Sequence, residues 1–126
     1  MNYVHIVAVL AICQFFYFGI MVGRARGKYG VDAPATSGHE MFDRAFRIQM
    51  NTLEQLVCFL PALVLADVYW SGTMIASIGA VYVVGRFLYA RSYAKDPGTR
   101  AIGFVLTVLP TFTLLGAAGL GAVWAA

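Results

Sequence analysis

The hydrophobic positions of this chain fall into four long runs separated by short polar segments. A helix of about 20 apolar residues crosses the hydrocarbon core of a bilayer, and each run is about that long. The pattern predicts helices over residues 4–22, 38–68, 73–94 and 98–124. Pro61 and Pro110 fall inside two of these runs. Transmembrane helices tolerate proline because neighbouring groups satisfy the freed backbone.

The polar segments carry signals for the ends of the helices. We expect a basic, glycine-rich loop after the first helix. Its cationic side chains are Arg24, Arg26 and Lys28. Ser37 and Glu40 have the spacing of a capping box, which predicts the start of the second helix. Asp96 is placed to cap the fourth helix, with Pro97 at its first position.

The composition is that of a membrane protein. Of the 126 residues, 60% are hydrophobic and 12% are charged, and the mean hydropathy is +0.74. Soluble domains carry roughly a quarter charged residues, so a disordered chain, a coiled coil and a small soluble enzyme are excluded. We predict an all-α, integral membrane four-helix bundle in a single domain, residues 1–126. Cys13 and Cys58 lie within apolar runs, and we expect two small buried hydrophobic residues there.

The charged residues are confined to the middle of the chain, between Arg24 and Arg100. The net charge of +3 could suggest nucleic acid, but the cations lie between apolar runs, so no nucleic-acid partner is expected. A signal peptide is the alternative for the first run. The run lacks a basic segment in front of it and a cleavage motif behind it, so we assign it to a helix.

Lysine and arginine also predict the orientation of the bundle. With four spans, the segment after the first helix and the segment between the third and fourth helices lie on one membrane side. Both are basic, whereas the remaining turn and the two termini have no lysine or arginine. The positive-inside rule makes the basic side cytoplasmic and puts both termini outside it. Short loops and two cysteines are typical of a bacterial chain, so we expect the inner membrane.

The second helix carries an unusual polar stripe. At about 100° per residue, five of its polar side chains fall within an arc of about 100°. They are Arg44, Arg47, Asn51, Glu54 and Gln55. Ionisable groups at membrane depth are costly and normally face a bundle interior or a wet cavity. Arg44 alone fits a structural role, because it can snorkel from the first turns. The next three together favour a binding site.

A second stripe runs along the third helix. Tyr82, Arg86, Tyr89 and Tyr93 are spaced by four, three and four residues, and Arg100 follows on the same membrane side. Boundary tyrosines are usually interface residues, which would explain Tyr93 alone but fits Tyr89 less well. The two stripes predict a cationic, hydroxyl-rich site that takes a polar anion, with a lipophilic partner from the bilayer. An arginine beside a bound thiol would stabilise the thiolate. No metal set is expected, because His5 and His39 are far apart.

The residues of the second helix resemble a family signature. Residues 38–54 contain the pattern G-x-x-x-F-x-R-x-x-R-x-Q-x-N-x-x-E. This pattern resembles that of the MAPEG family, the membrane-associated proteins of eicosanoid and glutathione metabolism. The stretch 51–54 is most similar to the microsomal glutathione transferases. Arg86, Tyr89, Tyr93 and Arg100 resemble the corresponding part of the leukotriene C synthases.

The resemblance implies a homotrimer of four-helix subunits with glutathione, the co-substrate, bound at subunit interfaces. Carried over by position, it implies a set of glutathione-binding residues: Arg26, Arg47, Gln49, Asn51, Glu54, Tyr89 and Tyr93. Arg100 matches the arginine credited with stabilising the thiolate, and Tyr93 is the second catalytic candidate. Gln49 points away from Arg47, which a shared interface site would explain. Gln55 and Gly27 stand where leukotriene C synthases have tyrosine and arginine, which weakens the case for an eicosanoid substrate.

The sequence suggests three classes of function. The leading hypothesis is a glutathione transferase, with or without peroxidase activity, acting on lipophilic electrophiles. The alternative is a non-catalytic membrane protein of the same fold that binds lipid or glutathione. A small proton-coupled transporter ranks below both, because it needs a carboxylate inside the first helix, where this chain offers Gln14 and His5.

The orientation can be tested with reporter fusions at Ala126. We expect an enzyme that works only after export to be active there, because the basic segments stay in the cytoplasm. A reporter that works only in the cytoplasm should be silent at this position. Activity of the cytoplasmic reporter would contradict the orientation or the number of spans.

Overall fold

The computed structural model describes residues 1–125, most of them in four helices. The helices are α1 (Tyr3–Tyr29), α2 (Glu40–Tyr69), α3 (Gly72–Lys95) and α4 (Ala101–Trp124), with a 3-10 turn at Pro97–Thr99. Ala126, which the predicted domain includes, lies outside the described residues. The four predicted helices are confirmed, and so are the two prolines within α2 and α4.

The helices form an antiparallel bundle in which α2 and α3 are central. The helix α1 packs on one side of this pair, and α4 packs on the other. The connections alternate between the two ends of the bundle, so the end of α1, the start of α2, the end of α3 and the start of α4 lie together. We call this end the basic end, because it holds most of the lysine and arginine side chains.

The core of the bundle is mainly apolar. Phe59 and Leu63 of α2, Ile75 and Tyr82 of α3, and Leu114 of α4 are all 0% exposed. The rings of Phe59 and Tyr82 stack with their centroids 3.8 Å apart. These contacts join α2 to α3 in the middle of the bundle.

The outer surface is also apolar, which suits a protein in lipid. Large hydrophobic side chains point outward along every helix, including Leu10, Val57, Val84 and Phe112. All four helices are long and apolar enough to span a membrane. Helices satisfy their own backbone hydrogen bonds, which lipid cannot do. The chain is an integral, multi-pass membrane protein.

The expected loop after α1 is wrong, because the helix continues to Tyr29 and carries the first three cations on its last two turns. Gly30 ends it in the left-handed conformation that glycine adopts without strain (φ 69°). The predicted capping box is also wrong. His39 caps α2 through its ring nitrogen Nδ1, which accepts from the Met41 N–H. Ser37 bonds to Asp43 instead.

Two smaller expectations also differ from the structure. Asp96 accepts from the Gly98 N–H and therefore caps the 3-10 turn, while α4 begins four residues after that turn's first residue. Cys13 and Cys58 are exposed in the single chain rather than buried. They lie on outward faces of α1 and α2, where an apolar side chain contacts lipid or another subunit.

The close approach of α3 and α4 depends on two glycines. A Cβ at Gly85 would lie 2.7 Å from the backbone carbonyl carbon of Leu106, and a Cβ at Gly103 would overlap the backbone nitrogen of Tyr89. Small residues let the backbones of transmembrane helices come this close. The backbone of Tyr89 is thereby held against α4.

We expect Gly103→Ala to destabilise the protein, because its methyl group meets backbone that cannot move aside. Overpacking typically costs about 1–3 kcal/mol, so the thermal unfolding temperature in detergent should fall. Gly116→Ala is the matched control on the same helix, since no atom lies within 4 Å of a Cβ there. Equal unfolding temperatures for the two variants would contradict the close packing of α3 on α4.

Candidate functional site

Five of the predicted site residues line one cavity at the basic end of the bundle. They are Arg47, Asn51, Tyr89, Tyr93 and Arg100. The cavity has a volume of about 740 Å3 and lies between α2, α3 and the start of α4. Residues 42 positions apart in sequence, Tyr89 and Arg47 for example, meet there because α2 and α3 are antiparallel neighbours. We call this cavity the polar cavity.

The polar cavity combines cations, hydroxyl groups and an amide. Arg47 lies at its mouth, and its side chain is 52% exposed. Its Nη2 lies 3.5 Å from Oε1 of Glu54, two turns further along α2. An ion pair this exposed contributes little stability. Arg47 and Glu54 can therefore separate at little cost, and each can pair with a charged group of a ligand.

A fully buried arginine stands behind the cavity. Arg86 of α3 is 0% exposed, and its guanidinium donates to Oδ1 of Asn51 (2.9 Å) and to Oγ1 of Thr52 (2.7 Å) on α2. A longer bond of 3.5 Å reaches Oγ1 of Thr107 on α4. The same group lies 4.3 Å from the ring centre of Tyr89. Within residues 1–125, no carboxylate lies within salt-bridge distance of it.

Arg86 determines which way the Asn51 amide points. Arginine has no acceptor, so the Asn51 atom that faces it must be the carbonyl oxygen. The amide nitrogen Nδ2 is left for the polar cavity that Asn51 lines. Asn51 therefore offers a ligand a hydrogen-bond donor, which suits a carboxylate or a peptide carbonyl.

The stripe of α3 is split between the core and the cavity, contrary to the expectation of one shared, open face. Tyr82 and Arg86 are fully buried. The hydroxyl of Tyr82 has no hydrogen-bond partner among the described residues. Tyr89 and Tyr93 reach the cavity and stack, with ring centroids 5.6 Å apart. The division arises because α2 and α4 enclose the part of α3 that carries Tyr82 and Arg86.

Arg100 closes the cavity on the side of α4. It is the N-cap residue of that helix, and its Nη1 donates to the Pro97 carbonyl oxygen at 2.6 Å. Its guanidinium carbon lies 5.9 Å from the ring centre of Tyr93. The free N–H groups at a helix start add a positive field in the same place. An anion in the cavity would be attracted by both.

Three predicted site residues do not line the polar cavity within one chain: Arg26, Gln49 and Glu54. Arg26 donates to the carbonyl oxygens of Val31 and Ala35 and lies over the ring of Phe42. Gln49 packs toward Gly19 of α1, on the other face of α2. Arg44, for which a structural role was expected, bonds to Glu40 and to the end of α3.

The sequence stripes did not reveal all of the lining. Phe104, Ala101 and Gly98 also line the cavity, because the 3-10 turn folds the start of α4 over it. Their residue types carry no chemical signal. The position of Phe104, one turn after Arg100, is the feature that could have found it.

The fold and the site define this chain as a four-span membrane protein with a cationic cavity at one end. Comparison with known proteins identifies its family. The sequence profile of the MAPEG family matches residues 4–120, and the chain belongs to that family. It is 44% identical to an uncharacterised protein of Synechocystis, over 94% of this chain and 87% of that one. It is 40% identical to human microsomal glutathione S-transferase 2, over 90% and 79% of the two chains. It is 33% identical to guinea-pig (Cavia porcellus) leukotriene C4 synthase, over 91% and 77%.

The arginine network leads to a test of stability. Arg86→Met should lower the unfolding temperature, because Oδ1 of Asn51 would lose its donor in the core, at a cost of about 1–3 kcal/mol. Adding Asn51→Leu should recover part of the loss, since the unpaired oxygen is then removed as well. Arg91→Met, one turn later and exposed, is the control. A double variant less stable than Arg86→Met by the full effect of Asn51→Leu alone would show that the two side chains are not coupled.

Proposed function

We propose that this protein is a glutathione transferase that conjugates lipophilic electrophiles delivered from the bilayer. The observation that carries the proposal is the convergence of Arg47, Tyr93 and Arg100 on one cavity at the basic end. Membership of the MAPEG family and the similarity to a microsomal glutathione S-transferase support it. Glutathione is then the co-substrate, and detoxification of reactive apolar compounds is the role we infer.

The chemistry of glutathione fits the groups that line the polar cavity, together with Glu54 beside Arg47. Glutathione has two carboxylates, an ammonium group, two amides and a thiol. Arg47 and the amide of Asn51 would bind a carboxylate, and Glu54 would bind the ammonium group. The aromatic rings of Tyr89 and Tyr93 would form the wall beside the peptide.

Arg100 would act on the thiol. A positive charge nearby favours the charged form of an acid, so the thiol loses its proton to solvent and the thiolate is held beside the guanidinium. The sulfur then attacks an electrophilic carbon. A sulfur–carbon bond forms, and the leaving group departs with the bonding electrons. The hydroxyl of Tyr93 would donate a hydrogen bond to the same sulfur.

The site we propose is shared between subunits of a homotrimer. Arg26 and Gln49 face away from the polar cavity of their own chain, on the side of α2 that faces α1. A neighbouring subunit could bring its copies of these two residues to that cavity. Polar side chains on several helix faces would otherwise meet lipid, where unpaired polar groups are costly. The basic end is cytoplasmic in this proposal, where glutathione is available.

The proposal is tested with the protein solubilised in mild detergent. We expect it to bind glutathione and to conjugate it to a generic aryl halide. Binding without turnover of any aryl halide or organic peroxide would favour the alternative of a non-catalytic binder. Failure to bind glutathione would contradict both.

Arg47→Ala should weaken glutathione binding by about tenfold to a hundredfold, since a charge-assisted hydrogen bond contributes roughly 1.5–3 kcal/mol. The measurement is calorimetric titration of the detergent-solubilised variant. Lys95→Ala removes an exposed cation at the same end outside the polar cavity and serves as the control. Unchanged affinity in Arg47→Ala would place the carboxylate elsewhere.

Arg100→Ala should reduce turnover more than binding, because the carboxylates of glutathione remain held by other groups. A nearby cation lowers the pKa of an acid by about 1–3 units, so the variant should form less thiolate near neutral pH. Raising the pH should partly restore its rate, since a thiol with a pKa near about 8.5 then ionises unaided. Ultraviolet absorbance of the bound thiolate measures the effect.

Two further variants separate Arg100 from its neighbour. Arg100→Lys should be intermediate, because it keeps the charge but loses the planar fork. Tyr93→Phe tests the hydroxyl as the rival group. Full thiolate formation in Arg100→Ala, together with its loss in Tyr93→Phe, would assign the role to the tyrosine.

A further inference from the structure

A second cavity lies at the basic end, on the opposite side of the α2–α3 pair. It has a volume of about 530 Å3 and is enclosed by α1, α2 and α3. It shares none of its lining residues with the polar cavity. Its wall is mainly apolar, and large side chains from two helices form it: Tyr17, Phe18, Met21 and Phe87.

Cationic side chains surround this apolar wall. Arg24 and Lys28 of α1 and Arg91 of α3 line the cavity, one turn beyond its apolar residues. All three are exposed, and within residues 1–125 none of them forms a salt bridge. No acidic residue lines the cavity in the described part of the chain. Arg44, the fourth cation there, is already bonded to Glu40 and to the end of α3.

We propose that this cavity binds an anionic phospholipid, with an acyl chain against the apolar wall and the phosphate among the three free cations. The volume lies within the roughly 300–1,000 Å3 that ligand sites occupy. Basic pockets between transmembrane helices select negatively charged lipid headgroups, because each nearby cation attracts the phosphate. The apolar wall matches the acyl chains of this one class of molecule, and the cationic rim matches its phosphate.

The occupant is not the electrophile of the proposed reaction. Arg100 lies in the polar cavity, and α2 and α3 stand between the two cavities. Within one chain, a molecule seated against Phe18 and Phe87 therefore has no route to a thiolate beside Arg100 without leaving the bundle. The lipid site is independent of the proposed function, and it stands or falls whether or not glutathione binds.

The test uses delipidated, detergent-solubilised protein and two probes with the same acyl chains. Dioleoylphosphatidylglycerol carries a net negative charge, and dioleoylphosphatidylcholine carries none. Binding is measured by titration and by native mass spectrometry of the lipid retained. The variant Arg91→Gln removes a cation of the rim. The variant Lys95→Gln removes one from the same end of α3 but outside the cavity.

We expect tighter binding of the anionic lipid, with a preference that weakens as salt is added. Arg91→Gln should reduce this preference by about fivefold, the effect of one cation near a headgroup, and Lys95→Gln should leave it unchanged. Ala90→Leu, which fills part of the cavity, should weaken both lipids while leaving glutathione binding intact. Equal binding of the two lipids to the unmodified protein would overturn the proposal. Equal losses of this preference in Arg91→Gln and Lys95→Gln would also overturn it, because the preference would then depend on the total positive charge at the basic end and not on the cavity. Displacement of bound glutathione by the anionic lipid would also overturn it.

Discussion

The bundle is organised around one buried positive charge, Arg86, which has no carboxylate partner within residues 1–125. Arg86 is held by neutral acceptors, the amide of Asn51 and the hydroxyls of Thr52 and Thr107, and by the ring of Tyr89. A buried charge is costly unless its surroundings satisfy it, so these side chains must come together for the bundle to form. The network therefore joins α2, α3 and α4 at the point where the polar cavity begins. It also leaves Asn51 with only its donor to offer a ligand.

The central pair α2–α3 separates two chemically different cavities. On the side of α4, the charged and hydroxyl groups suit a peptide-like anion. On the side of α1, an apolar wall with a cationic rim suits an anionic lipid. The difference arises from helix geometry: residues 47 and 51 of α2 face α4, whereas 44, 45 and 48 face α1. A four-helix chain of this length can thus offer one surface to a soluble ligand and a separate surface to the lipid of the bilayer.

The sequence predicts most of the fold because the four apolar runs are long and well separated. It also predicts much of the polar cavity, since four of its lining residues belong to two polar stripes on α2 and α3. It fails where a charged residue continues a helix. The sequence pattern predicts a loop at Arg24 and Lys28, yet these residues extend α1, because helices can carry charge beyond the hydrocarbon core. It also fails to predict the contacts of Arg86, because no recognisable sequence spacing relates Arg86 to its partner Thr107 on α4.

We propose that the polar cavity binds glutathione and is completed by a neighbouring subunit. Native mass spectrometry of the detergent-solubilised protein with added glutathione tests both parts at once. We expect trimers that carry up to three glutathione molecules, with no glutathione on dissociated monomers. Glutathione bound to monomers, or trimers that retain none, would contradict it.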